Sequence, residues 1–285
     1  MSEPVAELKT TERRAARRRA GLRPVVVLEA VRQEGESELA RPIPALAWSA
    51  LAAGLSMGFS MVAEGLLIAH LPDAEWRPLV SRLGYTVGFL VVVLGRQQLF
   101  TENTLTVILP LLTRRDRGTL SGVARVWSVV LLFNLLGALV FAGAAMRTEV
   151  FPSEVREAFA ELGLEAMRSG FSLTPLRGVF GGWLIALMVW LLPAAGAAAR
   201  PWVIVIITYL VALGGFAHII AGSVEALAAV LSGAATWSDY LLGFLPPTLI
   251  GNILGGTALV AALNYAQVVA GTDGDGEDRD AEPTE

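Results

Sequence analysis

Two ionisable side chains lie inside a long apolar stretch. Residues 210–225 read Leu-Val-Ala-Leu-Gly-Gly-Phe-Ala-His-Ile-Ile-Ala-Gly-Ser-Val-Glu, so His218 and Glu225 interrupt a run of apolar and small residues. Ionisable groups at membrane depth are costly and usually mark functional sites. Because a histidine can change its charge near neutral pH, His218 suits a site where an anion is accompanied or neutralised by a proton. The alternative is a neutral imidazole hydrogen-bonded within a helix bundle.

A second polar cluster interrupts an earlier apolar run. Residues 84–95 are mostly apolar, residues 96–104 read Arg-Gln-Gln-Leu-Phe-Thr-Glu-Asn-Thr, and residues 105–112 are again mostly apolar. Irregular backbone at membrane depth is tolerated only where protein or a water-filled cavity satisfies its polar groups. The pattern favours a pore-lining break around Phe100, Thr101 and Glu102. An aqueous loop after Gly95 is the alternative.

The composition predicts a membrane protein. Of 285 residues, 54% are hydrophobic and 17% are charged, whereas soluble domains carry about 25% charged residues. The chain contains no cysteine, which excludes disulfides, thiolate metal sites and cysteine nucleophiles. The sequence does not resemble a P-loop, a dinucleotide fingerprint or a metal-ligand cluster. We therefore expect a channel or transporter rather than an enzyme, without a cofactor or a nucleic-acid partner.

Six stretches are long enough to span a bilayer, which requires about 20 mostly apolar residues. They are residues 44–71, 79–112, 123–146, 175–199, 202–232 and 239–269. The second and fifth are too long for one simple span, so we expect broken helices there. Segment 149–168 carries apolar residues at helical spacing and predicts a short surface helix.

Charge predicts the orientation and the division of the chain. Arginines crowd residues 13–19 and the short loops after the second and fourth spans, which favours a cytoplasmic N-terminus. We divide the chain into a basic cytoplasmic segment (1–42), a six-helix transmembrane channel domain (43–269) and an acidic, disordered cytoplasmic tail (270–285). Both termini are then cytoplasmic.

The two halves of the apolar region resemble each other. Asn134-Leu-Leu-Gly-Ala recurs 118 residues later as Asn252-Ile-Leu-Gly-Gly, and the same offset from Phe100 gives His218. Small residues at every fourth position in the first and fourth spans allow helix backbones to approach closely. With three spans in each half, the second half must be inverted relative to the first. Such inverted repeats are common in transporters and place the substrate near the midplane.

Three glutamates, Glu64, Glu102 and Glu225, fall within or beside the predicted spans. Ionised carboxylates next to an anion path would repel the substrate. They are protonated, paired with Arg96 or Arg125, or packed at a subunit contact, and the residues alone leave these alternatives open. The tryptophans are interpreted as anchors at the membrane interfaces, which is where this residue is enriched.

Three motifs together resemble the formate/nitrite transporter family. They are Leu99-Phe-Thr in the break of the second span, Gly215-Phe-Ala-His218 in the fifth, and Gly251-Asn-Ile-Leu-Gly-Gly256 in the sixth. The resemblance covers roughly residues 44–269. It implies an aquaporin-like homopentamer in the bacterial-type cytoplasmic (inner) membrane, with one pore in each protomer. It also implies small monovalent anions, such as formate, nitrite or hydrosulfide, as substrates.

The resemblance also implies roles for single residues. His218 matches the central histidine of the family, Phe100 and Thr101 match the gating loop of the broken second helix, Phe216 matches the adjacent apolar constriction, and Asn252 matches a polar position on the sixth helix. We therefore predict a channel or transporter for a small monovalent anion or its neutral acid.

The chain also departs from the family pattern, which makes it resemble a divergent branch. The family commonly reads His-Ser-x-Ala-Asn where this chain has His218-Ile-Ile-Ala-Gly, and the external lysine of many members is at best replaced by Arg168. Glu102 and Glu225 are additions to the pattern, which we include among the candidate pore residues. A pore for a small cation or neutral solute, and a non-conducting membrane scaffold, remain alternatives.

Overall fold

The computed structural model describes the backbone of residues 22–277 and the side chains of residues 22–270. Over that range the protein is helical and contains no β-strand. The helices are α1 (Pro24–Ala40), α2 (Ile43–His70), α3 (Arg77–Leu94), α4 (Phe100–Thr106), α5 (Ile108–Arg114), α6 (Arg117–Arg147), α7 (Ser153–Met167), α8 (Gly170–Leu191), α9 (Arg200–Leu213), α10 (Ala221–Ser232) and α11 (Asp239–Ala270). The helical backbone of α11 continues to Glu277.

Five helices, α2, α3, α6, α8 and α11, are long and apolar enough to cross a membrane by length and composition. Helices α9 and α10 are shorter apolar helices that follow one another where the fifth span is predicted. The prediction of an all-helical membrane protein is thus confirmed, while the count of six crossings stays a prediction. The predicted segment 1–42 and tail 270–285 lie partly outside the described residues, and their assignments also stay predictions.

Both predicted helix interruptions are present, but the position of the first was wrong. It lies at residues 95–99, and Phe100, Thr101 and Glu102 form the first turn of α4 instead of a loop. Helix α3 ends at Leu94 and α4 begins at Phe100, whereas α9 ends at Leu213 and α10 begins at Ala221. Equivalent hydrogen bonds turn the chain at each break, since the N–H of Gln97 donates to the Val92 carbonyl and the N–H of Phe216 to the Val211 carbonyl, both at 3.0 Å. The φ angle is positive at Arg96 (51°) and at Gly215 (61°). The left-handed region suits glycine, so Arg96 adopts it at some cost in backbone energy.

Two asparagines hold the breaks in place. Asn134 Oδ1 accepts the N–H of Phe100 at 2.9 Å, and its Nδ2 donates to the carbonyls of Gln98 and Ala50. Asn252 acts in the same way on the second break, through Ile219 N–H at 2.8 Å and the carbonyls of Ala217 and Gly178. Backbone groups left unpaired in a membrane must be satisfied within the protein. Asn134 and Asn252 therefore hold the backbone of the two broken helices in place by hydrogen bonds.

These contacts correct the predicted pairing of the two breaks. The asparagines are 118 residues apart, but the backbone groups that they bind, Phe100 and Ile219, are 119 apart. Phe100 is thus equivalent to Ile219, and Leu99 to His218. The prediction was wrong by one residue because the second half carries one fewer residue between its break and its asparagine.

The small residues of the first and fourth spans allow close packing, as predicted. A Cβ atom added at Gly54 would collide with the backbone of Asn134 on α6, and one added at Gly182 would collide with the backbone of Asn252 on α11. Helix α2 therefore packs on α6 in the first half as α8 packs on α11 in the second. These two contacts place Asn134 and Asn252 next to the helix breaks that they bind.

Two helices outside the predicted spans pack on this core. The predicted surface helix exists as α7, and its buried residues Val155, Ala158, Phe159 and Leu162 pack against α2 and α10. Helix α1 was not predicted from the sequence. Its buried residues are Val27, Val31 and Gly35, and a Cβ atom at Gly35 would collide with the Thr106 carbonyl of α4. Helices α1 and α7 thus cover opposite half-helices, α4 and α10.

Candidate functional site: a histidine between two cavities

His218 lies where the two broken helices meet. Its side chain is 1% exposed, and its Nε2 lies 2.8 Å from Thr101 Oγ1. The edge of the ring faces Phe89 of α3, with ring centroids 5.0 Å apart. Thr101 is fully buried. The structure therefore brings together two residues that the sequence places in separate halves, His218 and Thr101.

The hydrogen bonds of His218 define its tautomer. Nδ1 lies 3.1 Å from the backbone nitrogen of Ala221, whose N–H it accepts at the start of α10. In a neutral imidazole one ring nitrogen accepts and the other donates, so the ring proton is on Nε2 and is donated to Thr101 Oγ1. Protonation of Nδ1 would break the Ala221 bond and place a positive charge at the N-terminus of α10, where the helix dipole disfavours it. The site is thus built around a neutral histidine.

Aromatic side chains surround this pair. Phe100 is 1% exposed and packs edge-on against Trp127 of α6, with centroids 5.9 Å apart. Phe216 is partly buried and stacks on Phe180 of α8, with centroids 5.2 Å apart. Trp127 also donates from Nε1 to the Asn103 carbonyl. Trp127 therefore supports α4 from within the protein, in contrast to the predicted role of interfacial anchor.

A cavity of about 240 Å³ opens beside His218 on the side of α7. We call it the α7-side cavity. Among the residues that line it are His218, Phe216, Glu225, Arg82, Arg168 and Arg177. Within the described chain, Arg168 and Arg177 make no side-chain hydrogen bond or ion pair. Their charges are therefore available to an anion that enters this cavity.

A larger cavity of about 620 Å³ lies on the side of α1, and we call it the α1-side cavity. Glu102 lines it, and the carboxylate atom Glu102 Oε1 is buried without a hydrogen-bond partner. Residues of α1 and of the first break also line it, among them Glu34, Glu38, Arg41, Arg96 and Gln98. Since Glu102 follows Thr101 directly, the contact between Thr101 and His218 lies between the two cavities. Phe100, Thr101 and Asn252 line neither of them.

The three glutamates do not form the ion pairs with Arg96 or Arg125 that one of the predicted alternatives requires. Glu64 is fully buried and bonds through Oε1 to Arg82, at 2.5 Å. Arg96 instead pairs with Glu34 at 3.3 Å, and Arg125 donates to the carbonyls of Leu39 and Arg41. The pairing with Arg96 or Arg125 was therefore wrong, because these arginines bind α1 and the segment that follows it. Glu102 and Glu225 form no ion pair within the described residues.

Several residues of the site were missed in the sequence. Arg82 bonds to Glu64 of α2 and to Glu165 of α7. Arg177 is an arginine inside a predicted span, and this signal alone marks it as a candidate. Gln98 donates its side-chain amide to Glu38 of α1 at 2.6 Å. The partners of Arg82 and Gln98 are distant in the sequence, so no local sequence pattern predicts these contacts.

The family model described as formate/nitrite transporter matches residues 25–266. The chain belongs to the formate/nitrite transporter family. This assignment confirms the resemblance of the three motifs, and it makes the chain a multi-pass membrane protein of a transporter family.

Relatives in this family extend over most of the chain. The inner membrane protein YfdC of Escherichia coli (strain K12) is 45% identical over 246 residues, which cover 86% of this chain and 79% of that protein. The probable formate transporter of Methanothermobacter thermautotrophicus is 30% identical over 222 residues, covering 72% of this chain and 80% of that protein.

Two solved structures share the fold. A pentameric formate channel with formate bound matches with a TM-score of 0.66 and 18% identity, over 84% of this chain and 99% of that one. An FNT family ion channel matches with a TM-score of 0.71 and 17% identity, over 85% of this chain and 99% of that one. These likenesses confirm the predicted fold class.

Proposed function

We propose that the chain conducts a small monovalent anion, such as formate or nitrite, or its neutral acid. Each protomer of a homopentamer in the cytoplasmic membrane provides its own pore, and both termini are cytoplasmic. The proposal rests on the hydrogen bond between Thr101 and His218, because it lies between two cavities at the meeting of two broken helices. The family and the names of its relatives support the substrate class.

The geometry supports a role for this bond in passing an anion. His218 donates its ring proton to Thr101 Oγ1, which leaves the hydroxyl hydrogen of Thr101 free to be donated. That hydrogen can turn toward an oxygen of the anion, or of its neutral acid, at the constriction. A neutral imidazole adds no full charge, so the substrate is bound weakly and can leave. Passage requires binding that is favourable enough to enter and weak enough to exit.

Exposed apolar side chains support the proposed setting. Helix α6 exposes Leu120, Leu132, Leu136 and Val140, and α11 exposes Leu242 and Ile250. A single soluble protomer rarely carries apolar surface of this extent. Contacts with lipid and with neighbouring protomers account for it.

Flux measurements in proteoliposomes test the proposal. Wild-type protein should carry formate, nitrite or hydrosulfide faster than protein-free vesicles do. His218→Phe should reduce that flux at least tenfold, since it removes the donor to Thr101. His70→Phe is a matched control, because His70 is exposed at the end of α2 and bonds only to the Leu66 carbonyl. Equal fluxes for His218→Phe and wild type would refute the role of the histidine.

A pore for a small cation is a second candidate, which Glu102 and Glu225 favour. Each lines one of the two cavities, and Glu102 Oε1 has no partner among the described residues. Planar-bilayer recordings separate the candidates. A reversal potential that follows the potassium gradient supports the cation pore. One that follows the formate gradient, or formate flux in proteoliposomes without any current, supports passage of the anion or of its neutral acid. No flux of any solute would favour a non-conducting scaffold.

A further inference from the structure

Glu225 shares the α7-side cavity with His218. It lies seven residues after His218, and the bond from Gly222 N–H to the His218 carbonyl, at 3.0 Å, shows that helical geometry begins at the histidine. Seven residues are about two helical turns, so both side chains lie on one face of α10. Both line the α7-side cavity. An anion crossing this cavity toward His218 therefore passes Glu225.

Burial makes an ionised Glu225 unfavourable. The residue is 7% exposed, and α7 covers it closely, because a Cβ atom at Gly163 would collide with the Glu225 carbonyl. Its carboxyl group makes no hydrogen bond or ion pair with the described residues. An isolated carboxylate is costly to bury, whereas a carboxylic acid is much less so. Glu225 therefore holds a proton when the cavity contains no anion.

Charged residues near Glu225 can stabilise a transient negative charge on its carboxyl group. Arg82 lies close enough to interact with it, but the guanidinium already bonds to Glu64 and Glu165. It therefore stabilises a carboxylate at Glu225 without forming a permanent pair. Helix α6 adds no group to the cavity, and α11 adds only Phe244. The titratable or charged groups that face Glu225 or the cavity are Glu64, Arg82, Tyr85, Glu165, Arg168, Arg177 and His218.

We propose that Glu225 is a proton-transfer site that protonates the incoming anion in the α7-side cavity. The inference rests on the proposed function and deepens it by assigning the proton donor of that site to Glu225. Arg168 and Arg177 attract the anion, and Glu225 discharges it before it reaches Phe216 and His218. Anions of strong acids, such as chloride, cannot accept the proton and are excluded.

The cycle balances with one proton from the aqueous side for each anion. The O–H bond of Glu225 breaks, and the proton forms an O–H bond with formate or nitrite, or an S–H bond with hydrosulfide. The neutral acid then crosses the apolar constriction. Glu225 is left as a carboxylate beside Arg82 and recovers a proton from the water of the cavity. One proton therefore crosses the membrane with each anion.

The pH dependence of flux tests this step, with equal pH on both sides of the vesicle. If the permeant acid formed only in bulk water, flux would fall about tenfold per pH unit, as the acid concentration does. With Glu225 as donor, wild-type formate flux falls much less between about pH 5 and pH 7. Glu225→Gln should restore the tenfold fall per unit, because the amide has nearly the same shape and no transferable proton.

Two further variants distinguish the loss of the transferable proton from an effect on folding. Glu225→Asp keeps a carboxyl group and should keep the shallow pH profile. Glu161→Gln removes an exposed carboxylate of α7 and should behave as wild type. A shallow profile in Glu225→Gln, or a tenfold fall per unit in the wild type itself, would overturn the inference. If wild type carries no weak acid at any pH, the proposed function fails, a result seen without any variant.

Discussion

Thr101 Oγ1 and His218 Nε2 lie 2.8 Å apart, so one hydrogen bond joins the half-helix α4 to the start of α10. The same imidazole accepts the Ala221 N–H through Nδ1. His218 thus completes the N-terminus of one half-helix while it donates to the other. These two hydrogen bonds therefore couple the position of α4 to the position of α10.

Thr101→Val tests this relationship. Valine has nearly the same shape but cannot accept from Nε2, so a buried N–H remains unpaired, which costs about 1–3 kcal/mol. We expect a lower midpoint of thermal unfolding in detergent and a formate flux reduced at least tenfold. Thr101→Ser keeps the hydroxyl and should retain most of both. If valine and serine behave alike, the hydrogen bond contributes nothing to either property.

The breaks in the second and fifth spans could be predicted because polar residues at membrane depth have few structural solutions. The polar cluster at residues 96–104 and the isolated His218 were therefore informative from their residue types alone. The pairing of the two breaks was wrong by one residue. A constant offset assumes halves of equal length, and only the contacts of Asn134 and Asn252 show where the lengths differ.

Contacts between distant helices could not be predicted. The partner of Glu64 is Arg82, which follows it by 18 residues on another helix, and any arginine facing the same cavity would have suited the charge equally well. Helix α1 was missed because segment 23–41 is mixed and charged. Its charges are used in contacts such as Arg32 with Glu29 and Glu36, so the segment is ordered without a strongly apolar face.

Asn134→Leu and Asn252→Leu should have similar effects. Each asparagine has a fully buried side chain that makes three hydrogen bonds to backbone groups at or beside a break. Leucine is close in volume and leaves these backbone groups unpaired, at about 1–3 kcal/mol for each unsatisfied group. We expect large and comparable losses of thermal stability for the two variants.

The control for these variants is Asn264→Leu. Asn264 makes a single bond within its own helix, to the Val260 carbonyl, and is only partly buried. Its replacement should change the unfolding midpoint little. If Asn134→Leu lowered the unfolding midpoint strongly and Asn252→Leu did so only slightly, the two asparagines would not have equivalent roles in stabilising the breaks.

Gly182→Ala should disrupt the packing of α8 on α11. The added methyl group would collide with the Asn252 backbone. Overpacking of this kind costs about 1–3 kcal/mol, because one helix must move. Gly143→Ala on α6 is the matched control, since a Cβ atom there meets no atom within 4 Å. Alanine favours helix over glycine, so the control should leave the unfolding midpoint unchanged or slightly raised. Equal midpoints for both variants would argue against the close contact.

Glu38→Gln should stabilise the protein in a pH-dependent way. Burial on α1 raises the pKa of the Glu38 carboxyl above its ordinary value of 4.5, although the bond from Gln98 opposes this shift. The folded state therefore binds the proton more tightly than the unfolded state does. Stability that comes from this proton is present at low pH and is lost as pH rises from 4.5 through the raised pKa. Glutamine keeps an acceptor for Gln98 and carries no charge at any pH.

The variant and the wild type should therefore unfold at similar temperatures below about pH 4, and the variant should be more stable at neutral pH. Glu29→Gln on the same helix should show the opposite sign. The bonds from Arg32 and Gln33 lower the pKa of Glu29 to about 2, so its contribution is present above 4.5 and is lost toward pH 2. Because Glu29 is exposed to solvent, that effect is small. A difference between Glu38→Gln and wild type that does not change with pH would show that Glu38 is ionised in the folded protein, and that the α1-side cavity hydrates its charge.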